Sequence, residues 1–175
     1  MEQAAQAMAR LLAERIVYLG QELQPPLVQM LRAQFQALAT QPEKPASLIL
    51  SASGGDWKAT LDLLEVLQSL PYPLSCVALG QVAGPPVVLL AAAARGNRLA
   101  RSDAQIRVTP PTPAAQTADM QAYLHEVRES SQRYFEPLAQ LRGKPLAEVQ
   151  AWGTQGAVSA QQALQWGLID RVLPA

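Results

Sequence analysis

Gly80-Gln81-Val82-Ala83-Gly84-Pro85-Pro86-Val87-Val88-Leu89-Leu90-Ala91-Ala92-Ala93-Ala94-Arg95-Gly96 is the stretch around which the rest of the chain can be organised. Pro85 or Pro86 can open a helix, because the N–H that proline lacks is one of those left unpaired in a first helical turn. Gly96 can close it. From Pro85 to Ala94 the run is apolar throughout, a buried-helix length that falls short of the roughly 18 residues needed to span a bilayer. Immediately upstream, Leu74 to Leu79 reads as a buried strand leading into the turn at Gly80.

Working outward, Met8, Leu11 and Leu12 recur at helical spacing and predict a short first helix ending near Glu14. Arg15 to Leu19 reads as a strand closed by Gly20. Pro25-Pro26 suits a helix start, and Leu27, Met30, Leu31, Phe35 and Leu38 carry an amphipathic pattern to about Ala39, where Pro42 and Pro45 break it. Ala46 to Leu50 is an apolar strand running into the Gly54-Gly55 turn, after which Asp56 can cap a helix from Trp57 to Leu70. Arg98 to Ala100 and Ile106 to Val108 read as short strands. The longest helical stretch is Thr117 to about Arg142, with Met120, Tyr123, Leu124, Val127, Tyr134, Leu138 and Leu141 on or near one apolar stripe. Pro137 is expected to kink or split it. A capping box, Ser159-Ala160-Gln161-Gln162, starts a last helix that stops at Gly167. Strands alternating with helices at this spacing predict an α/β protein of stacked βαβ units with parallel strands.

The 175 residues, 49% hydrophobic and 16% charged, suffice for one core and are too few for two comfortable ones, so a single domain over 1–175 is expected. Fourteen basic and fourteen acidic residues cancel, and no basic stripe points to nucleic acid or an anionic membrane surface. Cys76 is the one cysteine; it cannot form an internal disulfide, which fits a reducing cytosol. Met1 to Arg10 lacks a basic leader followed by an apolar segment, so the expected location is cytoplasmic. No Cys/His cluster has metal-ligand spacing, and Gly54-Gly55 is too short to cradle a phosphate. No metal or cofactor is expected.

The 80–96 stretch resembles the catalytic segment of the ClpP family of serine peptidases, where the pattern runs Gly-Gln-Ala-Ala-Ser-Met-Gly-Ala into a Leu/Ala-rich helix and a Lys-Gly pair. The likeness extends over nearly the whole chain. Leu11-Leu12-Ala13-Glu14-Arg15-Ile16-Val17-Tyr18-Leu19-Gly20, Ser53-Gly54-Gly55, Ser159-Ala160 and Gly167-Leu168-Ile169-Asp170-Arg171-Val172-Leu173 follow in the family's order and spacing. The resemblance implies a spiral of stacked β-β-α units, shared with the crotonase-like fold, from which the helix at about 117–142 protrudes as a handle that subunits bury against one another. A homo-oligomer is therefore expected, or a hetero-oligomer with an active ClpP-type subunit.

That same likeness exposes what is missing. A serine peptidase needs a hydroxyl nucleophile, a base, a carboxylate to hold the base, and N–H donors for the oxyanion. The family serine falls on Gly84, which has no side chain to attack a carbonyl. The family histidine, within Ile-His-Gln-Pro, falls on Thr109 in Val108-Thr109-Pro110-Pro111, and the family aspartate falls near Gln155, where Thr154, Gln155 and Gly156 include no carboxylate. One oxyanion donor is the N–H of the residue after the serine, here Pro85, which has none. The other would come from Gly54 or Gly55, which are read as available. The resemblance is thus to a degenerate, ClpR-like homologue.

Relocated chemistry finds little footing. His125 reads as a solvated helix residue, Cys76 as a small core residue, and Lys58 as a solvated cap neighbour, not the partner of Ser51 or Ser53 in a dyad. Trp57, Tyr72, Trp152 and Trp166 read as packing or interface residues. Pro110-Pro111-Thr112-Pro113 replaces the family's Gly-rich groove strand, which prolines cannot build, leaving the stacked double ring and peptide binding by strand addition in question. Met1 to Arg10 is too short for the family's axial loops, and Ser47-Leu48-Ile49 lacks the tyrosines of its docking clefts, so docking of an AAA+ unfoldase is expected to be weak or absent. Two other classes stand beside the non-catalytic subunit: a crotonase-like acyl-binding enzyme, disfavoured by Pro85, and a self-assembling protein unrelated to proteolysis.

Overall fold

The computed structural model describes residues 2–113 and 120–175. Helix α1 (Glu2–Ala13) leads into β1 (Ile16–Leu19), α2 (Pro25–Leu38), β2 (Ala46–Leu50), α3 (Trp57–Gln68) and β3 (Leu74–Ala78). Then come β4 (Gln81–Ala83), α4 (Pro85–Ala92), β5 (Arg98–Arg101) and β6 (Gln105–Arg107), and after them α5 (Met120–Arg142), α6 (Leu146–Trp152), β7 (Ala157–Ser159), α7 (Ala160–Gln165) and β8 (Arg171–Leu173). Strands β1-β2-β3-β5-β8 form one sheet in that order, with every pairing parallel. A smaller sheet, β4-β6-β7, is parallel between β4 and β6 and antiparallel between β6 and β7. The mixed α/β architecture with a parallel sheet agrees with the expected fold class.

Local sequence accounts for most of these elements. In β2 and β3, Ala46, Leu48 and Leu50 alternate with half-buried Ser47 and Ile49, and Leu74, Cys76 and Ala78 with half-buried Ser75 and Val77. That is the period of a pleated strand with one face fully in the core. Asp56 caps α3 by accepting the Ala59 N–H at 2.6 Å, and Ser159 caps α7 by accepting that of Gln162 at 3.3 Å. Pro85 occupies the first position of α4, whose residues Pro85 to Ala91 are all buried.

Several sequence expectations shift. Helix α4 does not reach Gly96; it ends at Ala92, because Ala93 turns to extended backbone (ψ 147°). Gly96 instead gives its N–H to the Asp170 carboxylate at 2.8 Å. Helix α3 stops at Gln68, short of Leu70. Pro137 does not split the long helix, which runs unbroken to Arg142. Tyr134, Phe135, Leu138 and Ala139 around it are buried, and that packing outweighs the roughly 3 kcal/mol an interior proline costs. Thr117, where this helix was expected to start, lies outside the described residues, as does Met1. The first half of α5 is the less covered part, with Met120 67% and Leu124 46% exposed. Residues 108–113 form no strand, as the prolines require. Pro111 is held to α5 by the Ser130 hydroxyl, which donates to its carbonyl at 2.6 Å.

Candidate functional site

The loops that follow β1, β2, β4 and β6 converge on one cleft of about 370 Å³, lined by Glu22, Gly54, Gly55, Gly84, Pro85 and Arg107 together with Thr109 to Thr112. Clefts outside the carboxyl ends of parallel strands are where α/β proteins place their ligands. Gly84 and Thr109, far apart in sequence, meet here: a Cβ built on Gly84 would lie 3.4 Å from the Thr109 carbonyl oxygen. Gly54 lies 3.8 Å from the same point.

Gly84 is clamped by its neighbours in a conformation that glycine adopts most easily, φ 68° and ψ −135°. Its N–H donates to the Arg107 carbonyl at 3.1 Å. Its own carbonyl accepts the Val87 N–H at 3.0 Å and the Tyr134 hydroxyl at 3.0 Å. Tyr134 is fully buried, its ring 5.6 Å from that of Trp57. Burial pushes its hydroxyl strongly above the usual range, only partly opposed by a hydrogen bond with the Thr109 backbone, so it stays neutral and ties the Gly84 and Thr109 segments together from below.

Around Gly84 few backbone N–H groups are uncommitted. Pro85 and Pro86 occupy the first two positions of α4 and have no N–H, and the Val87 N–H is already bonded to Gly84. Gly54 corrects the expectation of availability: its N–H donates to the Ala83 carbonyl at 3.1 Å, because this segment bridges to β4 through Ser53 and Ala83. Gly55 is left as the donor of that pair with no such commitment among the described residues. A side chain there would lie 2.6 Å from the Leu23 carbonyl oxygen, which fixes glycine at the position.

A model of the Clp protease family matches residues 1–175. The chain belongs to the Clp protease family. Members of this family usually form oligomers. Among the described residues of this Clp protease family member, no helix is long and apolar enough to cross a membrane. Nor does any group of three or more His, Cys, Asp or Glu side chains stand ready to hold a metal.

The remaining candidates fall outside the cleft. Gln155 is exposed in the turn after α6, its N–H donating to the Trp152 carbonyl at 3.2 Å, and does not line the concavity. His125 is 73% exposed on α5, 3.9 Å from Glu129. Cys76 is buried in β3, its thiol donating to the Leu89 carbonyl at 3.5 Å and pushed up to about 12 by burial, so it is not a thiolate near neutral pH. Lys58, 84% exposed, pairs with Asp62 at 3.3 Å, and no hydrogen bond joins it to Ser51 or Ser53. Trp152 stacks on Trp166 with ring centres 5.3 Å apart, and the Tyr72 hydroxyl donates to the Phe35 carbonyl at 2.9 Å, so these aromatics are packing residues. Sequence reading missed Glu22 and Arg107 as lining residues, and it placed Tyr134 only on an apolar stripe. The alternation through Gln105, Ile106 and Arg107 was the available signal that Arg107 points outward.

Proposed function

We propose that this Clp protease family member is a non-catalytic, ClpR-like cytoplasmic subunit that supplies wall and contact surface to an oligomer, in company with an active paralogue. One observation carries the reading: the cleft brings the Gly84, Thr109 and Gly54-Gly55 positions together with no imidazole or thiol among its lining residues and with proline at the oxyanion-donor position. Among the described residues, its hydroxyls are those of Thr109 and Thr112 and its carboxylate is that of Glu22. A threonine hydroxyl without a base is a poor nucleophile near neutral pH. Loss of one oxyanion donor alone typically lowers a rate by about 10²–10³.

The exposed Met120 and Leu124 on the first half of α5 are the kind of apolar surface that a neighbouring subunit covers. With Ser47-Leu48-Ile49 in place of docking tyrosines, no stimulation by an AAA+ unfoldase is expected through this subunit. The test has two arms. Fluorophosphonate labelling and fluorogenic-peptide turnover should both be negative for purified protein, and native mass spectrometry should show an oligomer, alone or mixed with an active paralogue. Turnover with ordinary saturation kinetics refutes inactivity; a monodisperse monomer under both conditions refutes the structural role.

A further inference from the structure

The pleat of the small sheet turns Val82, Ile106 and Val158 into the core and leaves Gln81, Gln105, Arg107 and Ala157 on the outward face. Register then decides what surrounds Arg107. Its cross-strand neighbours are Ala83 on one side and Ala157 on the other, and Gln81 pairs with Gln105 one step along. Both cross-strand neighbours carry only a methyl group, so neither offers an acceptor to the guanidinium. Among the described residues it forms no side-chain hydrogen bond or ion pair. A concavity of about 400 Å³ opens there, with Ser53, Gln81 and Gln105 at its polar edge.

Arg107 also borders the glycine-floored cleft. The order along that floor follows from contacts: the Glu22 carboxylate lies beside Gly54, Gly54 lies beside Gly84, and the Gly84 N–H is bonded to the Arg107 backbone. Opposite charges therefore stand at the two ends of a trough of small residues, and no ion pair joins them.

We propose that this trough is a binding site for a small organic monocarboxylate. The Arg107 guanidinium takes the carboxylate through its planar fork of N–H donors, a geometry that lysine cannot reproduce. The Gln81 and Gln105 amides supply further donors, and the ligand's apolar body lies on the floor of Ala83, Gly84 and Gly54, beside the wall made by Pro85 and the Thr109 to Thr112 segment. Glu22 at the far end rejects a second negative charge and accepts a neutral or cationic group. Concavities of this size suit a ligand of modest length. Binding requires no nucleophile, so this site and the absence of peptidase chemistry stand or fall separately.

Titration of the full-length ¹⁵N-labelled protein with caproate, ε-aminocaproate and adipate tests it by amide shifts and the Arg107 side-chain resonance. Caproate and ε-aminocaproate should move Gly54, Gly84 and Arg107, with adipate weaker by roughly tenfold through repulsion at Glu22. Arg107→Gln should weaken caproate by roughly tenfold or more, and Arg107→Lys should recover only part of that loss. Glu22→Gln should bring adipate level with caproate. Both positions are exposed, so the spectrum of each variant should otherwise overlay that of the parent. Unchanged caproate affinity in Arg107→Gln, or no shift at Gly54, Gly84 and Arg107 with any of the three acids up to their solubility, overturns the proposal.

Discussion

Placing a side chain at Gly84 separates the cost set by its backbone from the chemistry proposed for the cleft. In Gly84→Ser, the new Cβ would meet nothing closer than the Thr109 carbonyl oxygen at 3.4 Å and Gly54 at 3.8 Å, so crowding is slight. The cost comes instead from φ 68° and ψ −135°, a region that costs an L-residue on the order of 1–3 kcal/mol. For a chain of this length that is a fall in Tm of roughly 2–12 °C. Urea unfolding of Gly84→Ser and Gly84→Ala should give nearly the same loss, since both acquire a Cβ and only one a hydroxyl. The serine should stay unreactive towards a fluorophosphonate, because Thr109 is no base and Pro85, Pro86 and Val87 offer no free N–H to a developing oxyanion. Adding Thr109→His should not suffice while Pro85 remains. A Gly84→Ser protein as stable as the parent would refute the conformational argument, and one that labels or cleaves peptides unaided would refute the account of the cleft.

Tyr134→Phe should lower stability by about 1–2 kcal/mol in urea, since it leaves the Gly84 carbonyl with the Val87 N–H alone and removes the partner of the Thr109 backbone. Asp170→Ala should cost roughly 3–5 kcal/mol, because the Arg98 side chain is only 3% exposed and would lose its partner for both Nε and Nη2. Burial alone would raise the Asp170 carboxyl, but hydrogen bonds from the Arg98 side chain and from the Arg98 and Gly96 backbones outweigh it and hold the group below the usual carboxylate range. Its stabilisation is then complete above the unfolded value of about 3.9 and is lost as pH falls through the lowered native value. Acid unfolding should accordingly be steeper below about pH 4 in the parent than in Asp170→Ala. Cys76, with its thiol raised to about 12 and fully buried, should resist a thiol reagent at neutral pH until denaturant is added; rapid labelling of native protein would contradict its place in the core.

Much of the scaffold was legible because its signals are local. Pro25 and Pro85 mark helix starts, Asp56 and Ser159 are caps whose partners lie within three residues, and β2 and β3 carry a five-residue alternation. Strands β4, β7 and β8 were missed, and β6 was read one residue late, as Ile106 to Val108, because three residues carry too little of a period to fix a strand's bounds. Only pairing with a neighbour makes them strands. Helix α6, seven residues after Pro145, is likewise too short to show a helical period.

At the site, the chain's order of residues by itself determined what positions 84, 109 and 85 can offer: glycine has no side-chain nucleophile, threonine is no base near neutral pH and proline has no N–H, whatever surrounds them. Tertiary structure alone decided what stands there instead. Tyr134 reaches Gly84 across fifty positions, the Gly54 N–H is consumed by Ala83, and Arg107 finds itself between two alanines. Chemical identity is a property of a residue, but hydrogen-bond partners and open space depend on which distant segments the sheets bring together, and no local pattern encodes that.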